Sequence, residues 1–157
     1  MLYMSDVLVE QTVEEAANTA AVHALLAAAA HVERAIARVL EPLGLTGAQY
    51  AVLQVMHEVE AEVLGCSEIG RRLAAAAPDV TRLLDRLESV GLVARERDKK
   101  DRRVVHSRIT ESGVSLLSQA VPLVRAAEGQ VLADLAAPDR RHLAVLLNGV
   151  QRNCPGN

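Results

Sequence analysis

Phenylalanine and tryptophan are absent from this 157-residue chain, and tyrosine occurs only as Tyr3 and Tyr50. A core built from it must be aliphatic, and stacking on a flat aromatic ligand is limited to two rings. Cysteine is also scarce. Cys66 and Cys154 lie far apart and form no metal-type cluster, so free thiols in a reducing, cytoplasmic setting are expected. His23, His31, His57, His106 and His142 are scattered without ligand spacing, which argues against metal sensing. No apolar run approaches the ~18 residues that suggest a membrane span, so no membrane partner is expected. The N-terminal MLYMSDVLVEQTVEEAA lacks the basic start and apolar middle of a secretion signal. Nothing resembles a phosphate loop, a nucleophile with a paired base or a metal-hydrolase helix. Neither catalysis nor a cofactor is expected.

What is present favours helix. The length suits about one domain, half of the residues are hydrophobic, and alanine-rich and leucine-rich segments dominate. The net charge of −3 conceals an uneven distribution. From Arg71 to Arg108 there are 11 Lys/Arg against 6 Asp/Glu, a balance of +5, whereas the remainder has 6 against 14, a balance of −8. A basic segment inside an acidic chain marks a localised anion-binding face. Its centre is LVARERDKKDRRVVHSRIT, in which the eight residues Glu96–Arg103 are all charged.

The apolar spacing predicts a first helix from Val13 to Glu41, stopping before Pro42 and Gly44. Val22, Leu25, Ala29, Val32, Ile36 and Val39 recur in steps of three and four, a packing seam. A helix of about 29 residues is about 43 Å long, more than a small domain covers alone, so a partner chain is expected. Thr46 and Gln49 have the spacing of a capping box for a second helix. Tyr50, Leu53 and Met56 or His57 mark its inward face. After Gly65, SEIGRRLAAAA predicts a third helix, with Glu68 in its first turn. PDVTRLLDRLESVG predicts a fourth, with Pro78 in the first turn and Gly91 closing the end in the left-handed conformation. Val80, Leu83, Leu84 and Leu87 form its buried stripe; Thr81, Arg82, Asp85, Arg86 and Ser89 face outward.

Two short helices joined by a tight turn, the second with a basic outer face, read as a helix-turn-helix. LVAR and VVHSRI then flank the charged tip as a hairpin, giving the order of a winged helix. Thr110 should cap a further helix over 111–135, kinked by Pro122 and weakened by Gly129. A last helix over 139–151 carries Leu143, Leu146, Leu147 and Val150 on one side. The fold class is mainly α with a small β-wing.

The run from Leu43 to Gly113 resembles the MarR family, the multiple-antibiotic-resistance regulators of bacteria. The matching stretches are LGLTGAQYAVLQVM, SEIGRRL and VTRLLDRLESVGLVARERDKKDRRVVHSRITESG. The D-R-R of the wing and the I-T-E-S-G that opens the next helix are the most specific. The resemblance implies a winged helix-turn-helix with N- and C-terminal dimerisation helices: residues 1–45 as N-terminal dimerisation helix, 46–113 as DNA-binding region, and 114–157 as C-terminal dimerisation helices. It implies a homodimer on double-stranded DNA at a pseudo-palindromic operator; a repressor is expected over an activator, because covering a promoter requires only occupancy. Val80 to Glu88 would be the recognition helix, with Thr81, Arg82 and Arg86 as its phosphate or base contacts. In the wing, Asp101 would brace an arginine, Arg102 or Arg103, entering the minor groove, while Arg97, Lys99 and Lys100 attract phosphates. The chain departs from the family at Ala76, Ala77 and Pro78, where polar residues are usual. Readout would then lean on Thr81, Arg82 and the wing, or on alanine methyls against thymine methyls.

The family resemblance also implies release by a small phenolic or aromatic carboxylate effector, for which His23, His31, Arg34 and Tyr50 are the candidate contacts. Two other readings stay open: a winged helix that binds protein instead of an operator, and a redox-sensing regulator using Cys66, near a helix N-terminus where a thiolate is favoured. Steep salt dependence of duplex binding separates DNA binding from the protein-binding reading.

Overall fold

No glycine or proline interrupts residues 3–40, and one helix of 38 residues, α1 (Tyr3–Leu40), fills that stretch in the computed structural model. The structure describes residues 3–59, 64–73, 79–97 and 105–152, with side chains from Glu14 onward. At about 57 Å, α1 exceeds its sequence expectation. It starts well before Val13, because the preceding residues lack the seam but include good helix formers. Along the seam Leu25, Val32, Ile36 and Val39 are half-buried, whereas Val22 and Ala29 are exposed. The fully buried residue is Leu40, at the helix end. By average hydropathy the stretch Glu14–Leu43 is long and apolar enough to cross a bilayer, although Glu33, Arg34 and Arg38 interrupt its apolar run. Its alanines supply that average, and none of the apolar window is buried within the chain.

A 3-10 turn at Glu41–Leu43 and Gly44, at φ 70°, redirect the chain into α2 (Gly47–Glu58). The expected capping box is formed: the Gln49 N–H donates to Thr46 Oγ1 at 3.2 Å, and the Thr46 N–H donates to Gln49 Oε1 at 2.9 Å. Tyr50, Val52, Leu53, Val55 and Met56 are buried, so α2 is the central helix; His57 is exposed. A two-residue strand, β1 (Leu64–Gly65), leads into α3 (Cys66–Arg72). Leu73 is already extended, so α3 ends before the alanines expected to prolong it.

The fourth helix, α4 (Val80–Ser89), differs from expectation at its start. Its N-cap is Asp79, in the left-handed region at φ 42°, whose carboxylate accepts the Arg82 N–H. Pro78, expected in the first turn, lies with Ala76 and Ala77 outside the described residues. Leu83, Leu84 and Leu87 are buried, and Gly91, at φ 75°, ends the helix as expected. Strands β2 (Val93–Arg97) and β3 (Val105–Ile109) follow. The sheet is antiparallel in the order β1-β3-β2, with Arg95 opposite Ser107 and Leu64 also opposite Ser107. β1 was not foreseen.

Thr110 caps α5 (Glu111–Val131), which contains Pro122 and stops short of the expected Leu135. The final α6 (Ala137–Arg152) begins slightly earlier than expected. The helix α5 packs along α1 and touches α2. By contrast, α6 buries nothing: Leu143, Leu146 and Val150 are exposed, and Leu147 is half-covered.

Candidate nucleic-acid interface

The rotation of α4 is fixed by its leucines. With Leu83, Leu84 and Leu87 in the core, the 3.6-residue period leaves Thr81, Arg82, Asp85, Arg86 and Ser89 exposed, as the sequence predicted. Helix α3, anchored by the fully buried Ile69, packs across α4. At their junction Cys66 Sγ, half-buried, lies 3.3 Å from Thr81 Oγ1.

Charge on this surface is organised in small pairs. Arg82 Nε lies 2.9 Å from Asp79 Oδ2, yet the arginine side chain remains 80% exposed. Asp85 and Glu88, also on α4, are engaged elsewhere. Arg86 is exposed and makes no side-chain ion pair among the described residues. On α3, Glu68 pairs with Arg71 and, at 2.8 Å, with Arg72. The hydrogen bond from Arg72 holds the Glu68 carboxyl below the usual range, opposed by desolvation and aided by the charges of both arginines.

Asp85 and Glu88 meet Arg95 of strand β2. One guanidinium nitrogen of Arg95 pairs with Asp85 Oδ1 and lies 3.7 Å from Glu88 Oε2. Arg95 is only 19% exposed. Val93, Arg95 and Arg97 alternate onto one face of β2, and Val93 is buried. The arginine is therefore laid over the outer end of α4 by the strand's own period. Arg97 is exposed at the far end of β2, opposite Val105. On the adjoining positions Arg108 lies 3.8 Å from Glu96. The remaining wing candidates, Lys99, Lys100, Asp101, Arg102 and Arg103, lie outside the described residues.

The wing root is locked to the end of α4. Thr110 Oγ1 donates to the Gly91 carbonyl at 2.8 Å, the Thr110 N–H donates to Leu92 O at 3.0 Å, and the Gly113 N–H donates back to Thr110 Oγ1 at 3.1 Å. A Cβ on Gly113 would stand 2.3 Å from Leu92 O. This explains why threonine and glycine both appear in I-T-E-S-G: one caps the helix and binds the turn, the other admits the turn's backbone.

The proposed effector contacts are dispersed. His23 and His31 are exposed on α1. Arg34 lines an open hollow of about 630 Å³ together with Arg38, Glu41, Thr46 and Gly47, between the end of α1 and the start of α2. Tyr50 is buried; burial raises its hydroxyl pKa, with Glu128 adding to the rise and Arg125 opposing it. Among the described residues, Arg34 alone of the four lines that hollow.

Sequence reasoning passed over three residues that build this surface. Arg95 carried a signal in the two-residue alternation after Val93. Asp79 had the spacing of a cap to Arg82 but was overshadowed by Pro78. Gly113, within a helical pattern, was the mark of a close backbone approach.

Residues 43–104 match the MarR family model. The chain is 30% identical over 112 residues to the HTH-type transcriptional repressor Rv2887 of Mycobacterium tuberculosis, covering 71% of this chain and 79% of that one. It is similar to the solved MarR transcription factor from Planctomyces limnophilus, at 32% identity and a TM-score of 0.68, over 83% of this chain and 94% of that one. It is also similar to a mutant MarR from E. coli complexed with operator DNA, at 27% identity and a TM-score of 0.73, over 82% and 91% of the two chains.

Proposed function

The chain belongs to the MarR family of DNA-binding transcriptional regulators, and from that premise we propose that it is a cytoplasmic repressor, seated as a homodimer on a pseudo-palindromic operator. The observation that carries this reading is the outer face of α4: Thr81, Arg82 and Arg86 are exposed together, on a helix held in fixed rotation by its leucines. In the similar E. coli complex the partner is operator DNA.

The dimer part rests on uncovered apolar side chains at the two ends of the chain. Val22 and Leu26 of α1 and Leu143, Val145, Leu146 and Val150 of α6 are exposed in the single chain. Residues 1–45 and 114–157 form the dimerisation segments around the DNA-binding region, 46–113. Two recognition helices then meet half-sites about 34–36 Å apart. Arg86 and Arg82 contact phosphates or guanine edges, and the wing, through Arg97, Lys99, Lys100 and an arginine at 102 or 103 braced by Asp101, follows the adjoining minor groove. A small phenolic or aromatic carboxylate releases the complex; the hollow beside Arg34 and Arg38 offers cationic groups to such a ligand.

The test is binding to duplex from the chain's own upstream region, titrated across salt, with Arg82→Ala, Arg86→Ala, Arg102→Ala and Arg103→Ala alongside. Tight binding that falls steeply with salt and weakens with these changes is expected, since each phosphate neutralised releases counterions. Binding no tighter than to random duplex, and indifferent to all four arginines, refutes operator recognition there. Sedimentation at micromolar concentration, where a dimer is expected, checks the assembly.

A further inference from the structure

The recognition helix carries two carboxylates, Asp85 and Glu88, among the residues offered to the nucleic acid. Asp85 follows Arg82 by three residues and Thr81 by four, so it shares their strip of helix surface. Both carboxylates are substantially exposed, at 58% and 45%. Beside a phosphate backbone, unpaired charges there would repel. Yet both face one cation, the mostly covered Arg95, which reaches them from the wing strand. Arg95 is thereby occupied on the protein side.

We infer that Arg95 is a positioning residue for DNA binding: it masks the Asp85 and Glu88 carboxylates from phosphate and pins strand β2 to the recognition helix. This rests on the operator-binding reading above. A guanidinium is suited to the task because its fork of donors serves two acceptors at once and stays charged at any working pH. A spacing of three residues sets Asp85 and Glu88 side by side on the helix, and the alternation of β2 delivers one arginine to both.

Masking makes a prediction that a simple brace does not. Arg95→Gln unmasks two negative charges and should weaken duplex binding roughly tenfold at low salt. Asp85→Asn with Glu88→Gln, in the wild-type background, should tighten binding by less than it does on Arg95→Gln, because Arg95 already offsets one of the two charges. The same pair placed on Arg95→Gln should restore affinity to within about threefold of wild type. The Arg95→Gln deficit should also shrink as salt rises to about 0.3 M, as screening requires.

The assay is fluorescence anisotropy with the upstream duplex and a random duplex, on full-length protein whose fold is checked by circular dichroism. If Arg95→Gln fails to fold, Arg95→Lys takes its place. A single ammonium reaches one carboxylate well, so a smaller loss is expected, again removed by Asp85→Asn. Failure of the carboxylate changes to rescue, or equal effects in both backgrounds, overturns masking while leaving operator binding standing. Failure of the wild type on every duplex overturns the operator reading itself, and masking with it.

Discussion

Replacing Gly113 by alanine adds one carbon where the helix α5 crosses the turn after α4. That carbon would lie 2.3 Å from the Leu92 carbonyl oxygen and 2.7 Å from Ile109 Cγ1. The Ile109 contact involves a side-chain atom that can turn aside. Leu92 O cannot, because it already accepts the Thr110 N–H at 3.0 Å and belongs to the turn closed by Gly91. Relief must come from backbone movement, and overpacking of this kind costs about 1–3 kcal/mol. Alanine's better helix propensity offsets up to about 1 kcal/mol, leaving a net loss of roughly 1–2 kcal/mol. For a chain of this size that lowers Tm by about 2–8 °C. Thermal unfolding by circular dichroism, at one fixed protein concentration because assembly shifts Tm, measures it. Gly129→Ala is the control: it has no atom within 4 Å of the added carbon and sits inside the same helix. It should gain up to about 1 kcal/mol. Gly113→Ala as stable as wild type, or more so, would refute the close-approach argument.

Three further changes test other parts of the account. Thr110→Ala removes the cap of α5 and the hydrogen bond to Gly91 O, and should cost about 1–2 kcal/mol in urea unfolding, near the upper end for a cap. Tyr50 has a raised pKa, chiefly through burial, so the folded state keeps its proton longer than the unfolded chain does. Its contribution is complete below the unfolded value near 10 and is lost as pH rises through the folded value. Tyr50→Phe should therefore show a smaller fall in urea midpoint above about pH 10 than wild type. Glu68 has the opposite sign: its contribution is present above the unfolded value near 4.3 and disappears as pH falls through its lowered folded value. Glu68→Gln should flatten that acid limb, and an unchanged limb would show that its pairs with Arg71 and Arg72 add nothing.

The features legible in the sequence were those with a local cause. The Thr46–Gln49 capping box, Gly91 at the end of α4 and the leucine stripe of α4 each follow from spacing within a single element, and each is found in the structure. What escaped depends on distant partners or on competition between neighbours. Leu64–Gly65 is too short for alternation to register, and becomes a strand only because β3 lies beside it. Pro78 and Asp79 both signal a helix start, and the carboxylate's hydrogen bond to the Arg82 N–H fixes Asp79 as the cap. The cation that meets Asp85 and Glu88 comes from another element, the strand residue Arg95. Arg95 is close to them only after the hairpin has formed. For the effector candidates, residue type was suggestive, but placement needed the fold: Tyr50 is core, while Arg34 borders a hollow.

The pairing of Arg95 with Ser107 gives the hairpin a phase. Because successive strand residues point to opposite faces, a shift of one position exchanges them all. Deleting Ala94 would put Glu96 in the slot of Arg95, facing Asp85 and Glu88, so attraction would become repulsion among three carboxylates. Residues added beyond Arg97, between the strands, leave that phase untouched. The hairpin can therefore vary in length at its tip across evolution, while its base tolerates changes only in steps of two.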